Sequence, residues 1–165
     1  MNESDDELKL ALMVMKLGDD VNTIFRQIAC YNFESELHKE QRERGFLSKE
    51  DIGKIFQKHM SAYMGDAVEK SEGSENWWVY WSHIRRFFYV STYASGLLIS
   101  KSMQNKVKKD RSFIIKVKEF LSAGEADSPK NIFLKMGINI EDENFWEEGI
   151  KELRTLLEET EKLAK

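Results

Sequence analysis

The side chains best suited to chemistry gather in one stretch, Trp77 to Gly96, which reads WWVYWSHIRRFFYVSTYASG. Three of the four tryptophans and three of the five tyrosines fall here, with His83 in the middle. If the stretch is one helix from Phe87 onward, Tyr89, Tyr93 and Gly96 lie at i, i+4 and i+7, on one face. That face would offer two hydroxyl donors beside a residue small enough to let another group come close. Composition alone favours a plainer reading, a buried aromatic seam whose hydroxyls find internal partners. His83 stands between a loop and a helix start, where capping or a backbone hydrogen bond is the ordinary role. Arg85 and Arg86 could hold a peptide carboxylate in a bidentate pair, although a solvated helix start explains them as well.

Other chemistries lack their residues. A zinc peptidase helix needs H-E-x-x-H, two histidines one turn apart with a glutamate as general base. The three histidines are His38, His59 and His83; none is followed by glutamate and none has a histidine four residues on. Glu34 and Glu36 have the wrong offsets from His38 for the Glu-x-x-His of a di-iron bundle. No Ser-His-Asp or Cys-His arrangement is supported locally. Cys30 sits on the apolar side of a helix, as a core residue rather than a nucleophile. There is no glycine loop to cradle a phosphate. Met13, Met15, Met60 and Met64 read as core filler.

The segment His83 to Gly96 resembles the C-terminal signature of oligoendopeptidase F, a zinc metallopeptidase of the thimet oligopeptidase clan. The matching residues are His83, Phe88, Tyr89, Val90, Tyr93, Ala94 and Gly96; Ser91 stands where that family usually has tyrosine. The resemblance extends to TIFRQIACYNFESELH, GFLSKEDI, FLSAGEADSPKNIF and GINIEDENFWEEGI, nearly the whole chain. It implies an all-α bundle and a single domain over residues 1–165, the C-terminal helical part of an M3-type catalytic domain without its H-E-x-x-H helix. It implies catalytic roles for His83, Tyr89 and Tyr93, which would donate to the oxyanion of the tetrahedral intermediate. Substrate contacts would come from His83, Tyr89, Tyr93, Gly96 and Arg86. Arg26 and Glu34, two turns apart in the matching FRQ and FE-x-x-x-H pattern, read as a structural ion-pair network.

The intact family enzyme holds zinc, but no metal is expected on this chain by itself. The expected substrates are short peptides, and activity is expected only with a partner carrying the H-E-x-x-H half. The chain would then be a fragment or a split gene product. The alternative is a non-catalytic helical module that keeps the peptidase fold and binds peptides or protein. In the fragment or split-gene reading, faces meant for a missing half would be bare, especially Trp77 to Tyr93 and the first helix. This predicts a homo-oligomer, swapped at Gly18 or in the 66–76 loop.

The totals agree with this class. A chain of 165 residues suits one domain with a sizeable core. A net charge of −4 with no basic face gives no support for nucleic acid. One cysteine excludes an internal disulfide and fits a cytoplasmic setting. No apolar run reaches the ~20 residues needed to span a membrane. The acidic start has no signal-peptide pattern.

The elements that must position these residues read as helices throughout. Ser4 to Glu7 offers caps for a first helix to about Leu17, interrupted at Gly18. A second helix, capped by Asp19 or Asp20, should run to Arg44 and stop at Gly45. Ser48 to Asp51 forms a capping box for a third, ending near Gly65. Residues 66–76 are a polar loop. The aromatic helix should cover about Arg86 to Val107, followed by Arg111 to Ala123. A short helix should start at Ser128-Pro129 and end at Gly137. A last amphipathic helix should cover Asn144 to Ala164.

Overall fold

The computed structural model describes residues 5–165, and they form an all-α structure of seven α-helices and four short 3-10 helices. No β-strand occurs among the described residues. The chain divides into two compact units, Asp19–Ser95 and Gly96–Lys165, the latter including the start of the chain up to Gly18.

The first helix, α1 (Asp6–Thr23), runs straight through Gly18. A mid-helix glycine costs only about 1 kcal/mol relative to alanine, too little to stop a helix that the mostly strong formers Leu8 to Leu17 have already established. The Asp5 carboxylate accepts from the Glu7 and Leu8 N–H groups and caps the helix. The cap expected at Ser4 lies outside the described residues. The irregular residue is Ile24 (φ −103°, ψ −70°), directly before α2 (Phe25–Arg44). Asp19 and Asp20 lie inside α1 and do not cap α2.

In the Asp19–Ser95 unit, α2 stops at Gly45, whose φ of 75° suits a residue without Cβ. The box predicted at α3 (Lys49–Met64) is present: Asp51 N–H donates to Ser48 Oγ at 3.1 Å, and Ser48 N–H donates to Asp51 Oδ2 at 3.2 Å. The helices α2 and α3 enclose a core of Ala29, Cys30, Phe33, Ile55, Phe56 and Met60, closed by Leu47 and Val90. Phe33 meets Phe56 edge to face at 5.2 Å. Burial pushes the Cys30 thiol up to about 12, so it has little thiolate character. Met13 and Met60 are buried as expected, but Met15 is 61% exposed and fills no core.

The other unit is built on α4 (Ser91–Lys109), α5 (Ile114–Ala123), α6 (Pro129–Lys135) and α7 (Glu143–Leu163). Ser128 caps α6 with Pro129 at its first position, as its sequence predicts. Met103, Phe133, Met136, Ile138 and Phe145 form the core. Helices α4 and α7 come close at Gly149, where an added Cβ would lie 2.9 Å from the Leu98 carbonyl oxygen. Buried Ser102 ties the same two helices by donating to the Phe145 carbonyl at 2.9 Å. Among the described residues no helix is long and apolar enough to cross a membrane.

Candidate functional site

The aromatic stretch is not one helix. Two 3-10 helices, Ser74–Tyr80 and Ser82–Arg86, precede α4, which starts only at Ser91. The reason is legible in the spacing of Trp78, Trp81 and Ile84. They recur every third residue, the 3-10 period, and all three pack against the core of their unit. Trp81 meets Phe56 edge to face at 5.3 Å, and the Arg26 guanidinium lies 5.4 Å from the Trp81 ring centre. The intervening residues are left on the outside: Trp77, Val79 and Tyr80 are exposed, Tyr80 by 86%.

The chain then makes a strained turn. Phe87 (φ 43°) and Phe88 (φ 56°) both lie at positive φ, the only described non-glycine residues to do so. Such a conformation costs on the order of 1–3 kcal/mol per residue and persists only where its surroundings enforce it. Those surroundings come from α2. The Glu34 carboxylate, almost wholly buried, accepts from Phe88 N–H at 2.8 Å. The His38 ring stacks on Phe87 at 6.0 Å and meets Phe88 at 5.5 Å, while Tyr31 meets Phe88 at 5.3 Å. The expected Arg26–Glu34 ion pair is replaced by two separate contacts: Arg26 on Trp81, Glu34 on the turn.

The turn places Tyr89 off the helix, so the predicted one-face arrangement of Tyr89 and Tyr93 is wrong in detail. The rings nevertheless meet. His83 stacks on Tyr89 at 5.4 Å and 21°. Tyr93, in the first turn of α4, lies edge-on to both, at 5.7 Å from His83 and 5.8 Å from Tyr89. Its hydroxyl is 3.1 Å from His83 Nε2. The Arg86 guanidinium lies 5.8 Å from the Tyr89 ring. Tyr89 and Tyr93 remain 40% and 37% exposed, so the cluster is open to solvent rather than sealed as a seam. Gly96, one turn further along α4, lines an apolar groove with Ile99, Ile114, Phe120 and Leu121. Ser91 opens α4 and offers no phenol.

The arrangement has a definite donor logic. With its proton on Nε2, His83 donates to the Tyr93 oxygen and leaves the Tyr93 O–H free to donate elsewhere. A metal does not fit here. His83 is engaged by the tyrosines, His59 by Glu36 at 2.7 Å, and His38 lies against Glu34 and the turn. Among the described residues, no three His, Cys, Asp or Glu side chains converge on a metal position.

Residues 5–152 match Peptidase family M3, and the chain belongs to that family. It is 27% identical to oligoendopeptidase F, chromosomal, of Lactococcus lactis subsp. cremoris, over 99% of this chain and 28% of that protein. It is 26% identical to oligopeptidase PepF of Bacillus subtilis strain 168, over 98% of this chain and 24% of that protein. An oligoendopeptidase F homolog of Borreliella burgdorferi is 23% identical, over 98% and 28% respectively. The chain thus spans about a quarter of the length of these curated relatives. No solved structure gives a significant match.

Proposed function

We propose that this chain forms the C-terminal wall of an M3 peptide-binding cleft, and that short peptides are hydrolysed when a segment bearing H-E-x-x-H completes it. That segment would bring the zinc and the general base; no step through zinc is assigned to these residues. Their part is to bind and polarise. His83 holds the Tyr93 oxygen, Tyr93 O–H donates to the scissile carbonyl as it becomes an oxyanion, and Tyr89 fixes the imidazole plane. Arg86, beside the Tyr89 ring, would take a peptide carboxylate. The observation behind this reading is the 3.1 Å contact between Tyr93 Oη and His83 Nε2 in a cluster still open to solvent. One aligned donor is worth about 3 kcal/mol in the transition state, roughly a hundredfold in rate.

The bare apolar residues favour association. Tyr80 and Phe87 in the aromatic stretch and Val14 and Met15 in α1 are all more than half exposed. In the absence of the complementary segment we expect a homo-oligomer, which sedimentation would reveal as a mass above the 19.4 kDa chain. The single, buried cysteine suits a cytoplasmic setting.

The experiment is to incubate a short hydrophobic peptide and zinc with this chain, alone and mixed with an H-E-x-x-H-bearing segment from a relative. Cleavage only in the mixture, reduced about a hundredfold by Tyr93→Phe, is the expected result. Peptide binding with no cleavage in the mixture would favour a non-catalytic peptide-binding module, which the absence of a phenol at Ser91 supports. Neither binding nor cleavage would overturn both readings.

A further inference from the structure

We propose that Glu34 is a positioning residue that sets the direction of Tyr89 by holding the strained turn at Phe87-Phe88; this rests on the peptide-cleft reading above. Without that turn, the sequence favours α4 extending backward through Phe87, with Tyr89 on its helical face. The structure instead starts α4 at Ser91, because Phe88 sits at φ 56° with its N–H donated to Glu34, 54 residues away in sequence, at 2.8 Å. Glu34 is only 1% exposed. A buried carboxylate committed to a backbone N–H makes a short, charge-assisted bond, roughly twice as strong as a neutral one.

The turn itself is near the surface, with Phe87 72% exposed, so its geometry is not imposed by general burial. The grip comes from one face of α2. Tyr31, Glu34 and His38 lie at i, i+3 and i+7, and all three touch the turn. Tyr89 follows Phe88 directly, so the Phe88 backbone angles set where its ring goes. That ring is the one stacked on His83.

The test uses the full chain and two variants, Glu34→Ala and Glu34→Gln, read by NMR without any peptide. The stacked Tyr89 ring should shift the His83 ring protons upfield. Folded Glu34→Ala should lose this shift, and Glu34→Gln, which keeps an acceptor oxygen, should restore most of it. Phe88 amide exchange should quicken about tenfold in Glu34→Gln, the neutral acceptor being weaker. A folded Glu34→Ala with the His83 shift intact would overturn the proposal. If Glu34→Ala does not fold, unchanged Phe88 exchange in Glu34→Gln would overturn it. A separate titration with an N-acetylated hydrophobic heptapeptide distinguishes the two ideas. Expected shifts at His83 without peptide binding leave the Glu34 role standing and remove the cleft; binding with unaltered His83 signals in Glu34→Ala does the reverse.

Discussion

Two stretches of this chain solve the same problem, joining helices closely, in opposite ways. Where α7 meets α4, Gly149 removes a side chain so that backbone can approach backbone, and buried Ser102 satisfies a carbonyl. No described residue there sits at an unfavourable φ. At Phe87-Phe88 the chain places two large residues where glycine would be at ease, and a buried carboxylate holds them. The first junction is relaxed and ordinary. The second stores strain beside an open histidine–tyrosine cluster. Strain of this kind persists only where neighbours enforce it, and it is the feature on which the proposed presentation of Tyr89 rests.

The comparison can be broken from either end by moving one methyl or one ring. Gly149→Ala puts a Cβ 2.9 Å from backbone, and the Leu98 carbonyl cannot swing aside as a side-chain tip could. We expect it to destabilise by about 1–3 kcal/mol in denaturant unfolding, the usual range for overpacking. A loss below about 0.5 kcal/mol would mean the junction is looser than described.

Phe87→Gly should act in the other direction. It relieves positive-φ strain but gives up backbone entropy and the ring contact with His38. The expected balance is a gain of up to about 1 kcal/mol, accompanied by weaker peptide binding. A loss of more than about 1 kcal/mol in the same unfolding experiment would show that the turn is not strained.

The smallest effect sharpens the contrast between buried and surface carboxylates. Glu36, also on α2, is held below the usual carboxylate range, first by the Lys58 ammonium at 2.7 Å and further by His59 at 2.7 Å. Its folded pKa is the lower one, so its stabilisation is complete above the unfolded value of about 4.3 and is lost as pH falls through the folded value. Being largely a surface pair, it should contribute less than about 1 kcal/mol. Unfolding of wild type and Glu36→Gln across acid pH measures this; identical pH slopes would remove Glu36 from the account.

Much of the fold is legible in the sequence because caps and glycines are local signals. The Ser48–Asp51 box, Gly45, Ser128-Pro129 and Gly137 all act where the sequence places them. Gly18 misleads because one glycine costs a helix only about 1 kcal/mol, too little to stop one already established by the residues before it. The aromatic stretch misleads because its ends carry both helical and 3-10 spacing, and the deciding bond comes from Glu34, far away in sequence. The Trp78, Trp81, Ile84 period was the available signal for the 3-10 segments. The resemblance names His83, Tyr89 and Tyr93 together, but their ring contacts and the Tyr93–His83 hydrogen bond follow from the path of the chain between them and have no local signal.

The proposed function stands or falls on whether the histidine–tyrosine cluster meets peptide. The most direct measurement is a heteronuclear NMR titration of the labelled chain with an N-acetylated hydrophobic heptapeptide. Shifts should concentrate at His83, Arg86, Tyr89 and Tyr93. Shifts confined to the apolar groove at Ile114, Val117 and Leu121, with His83 and the tyrosines unmoved, would contradict it.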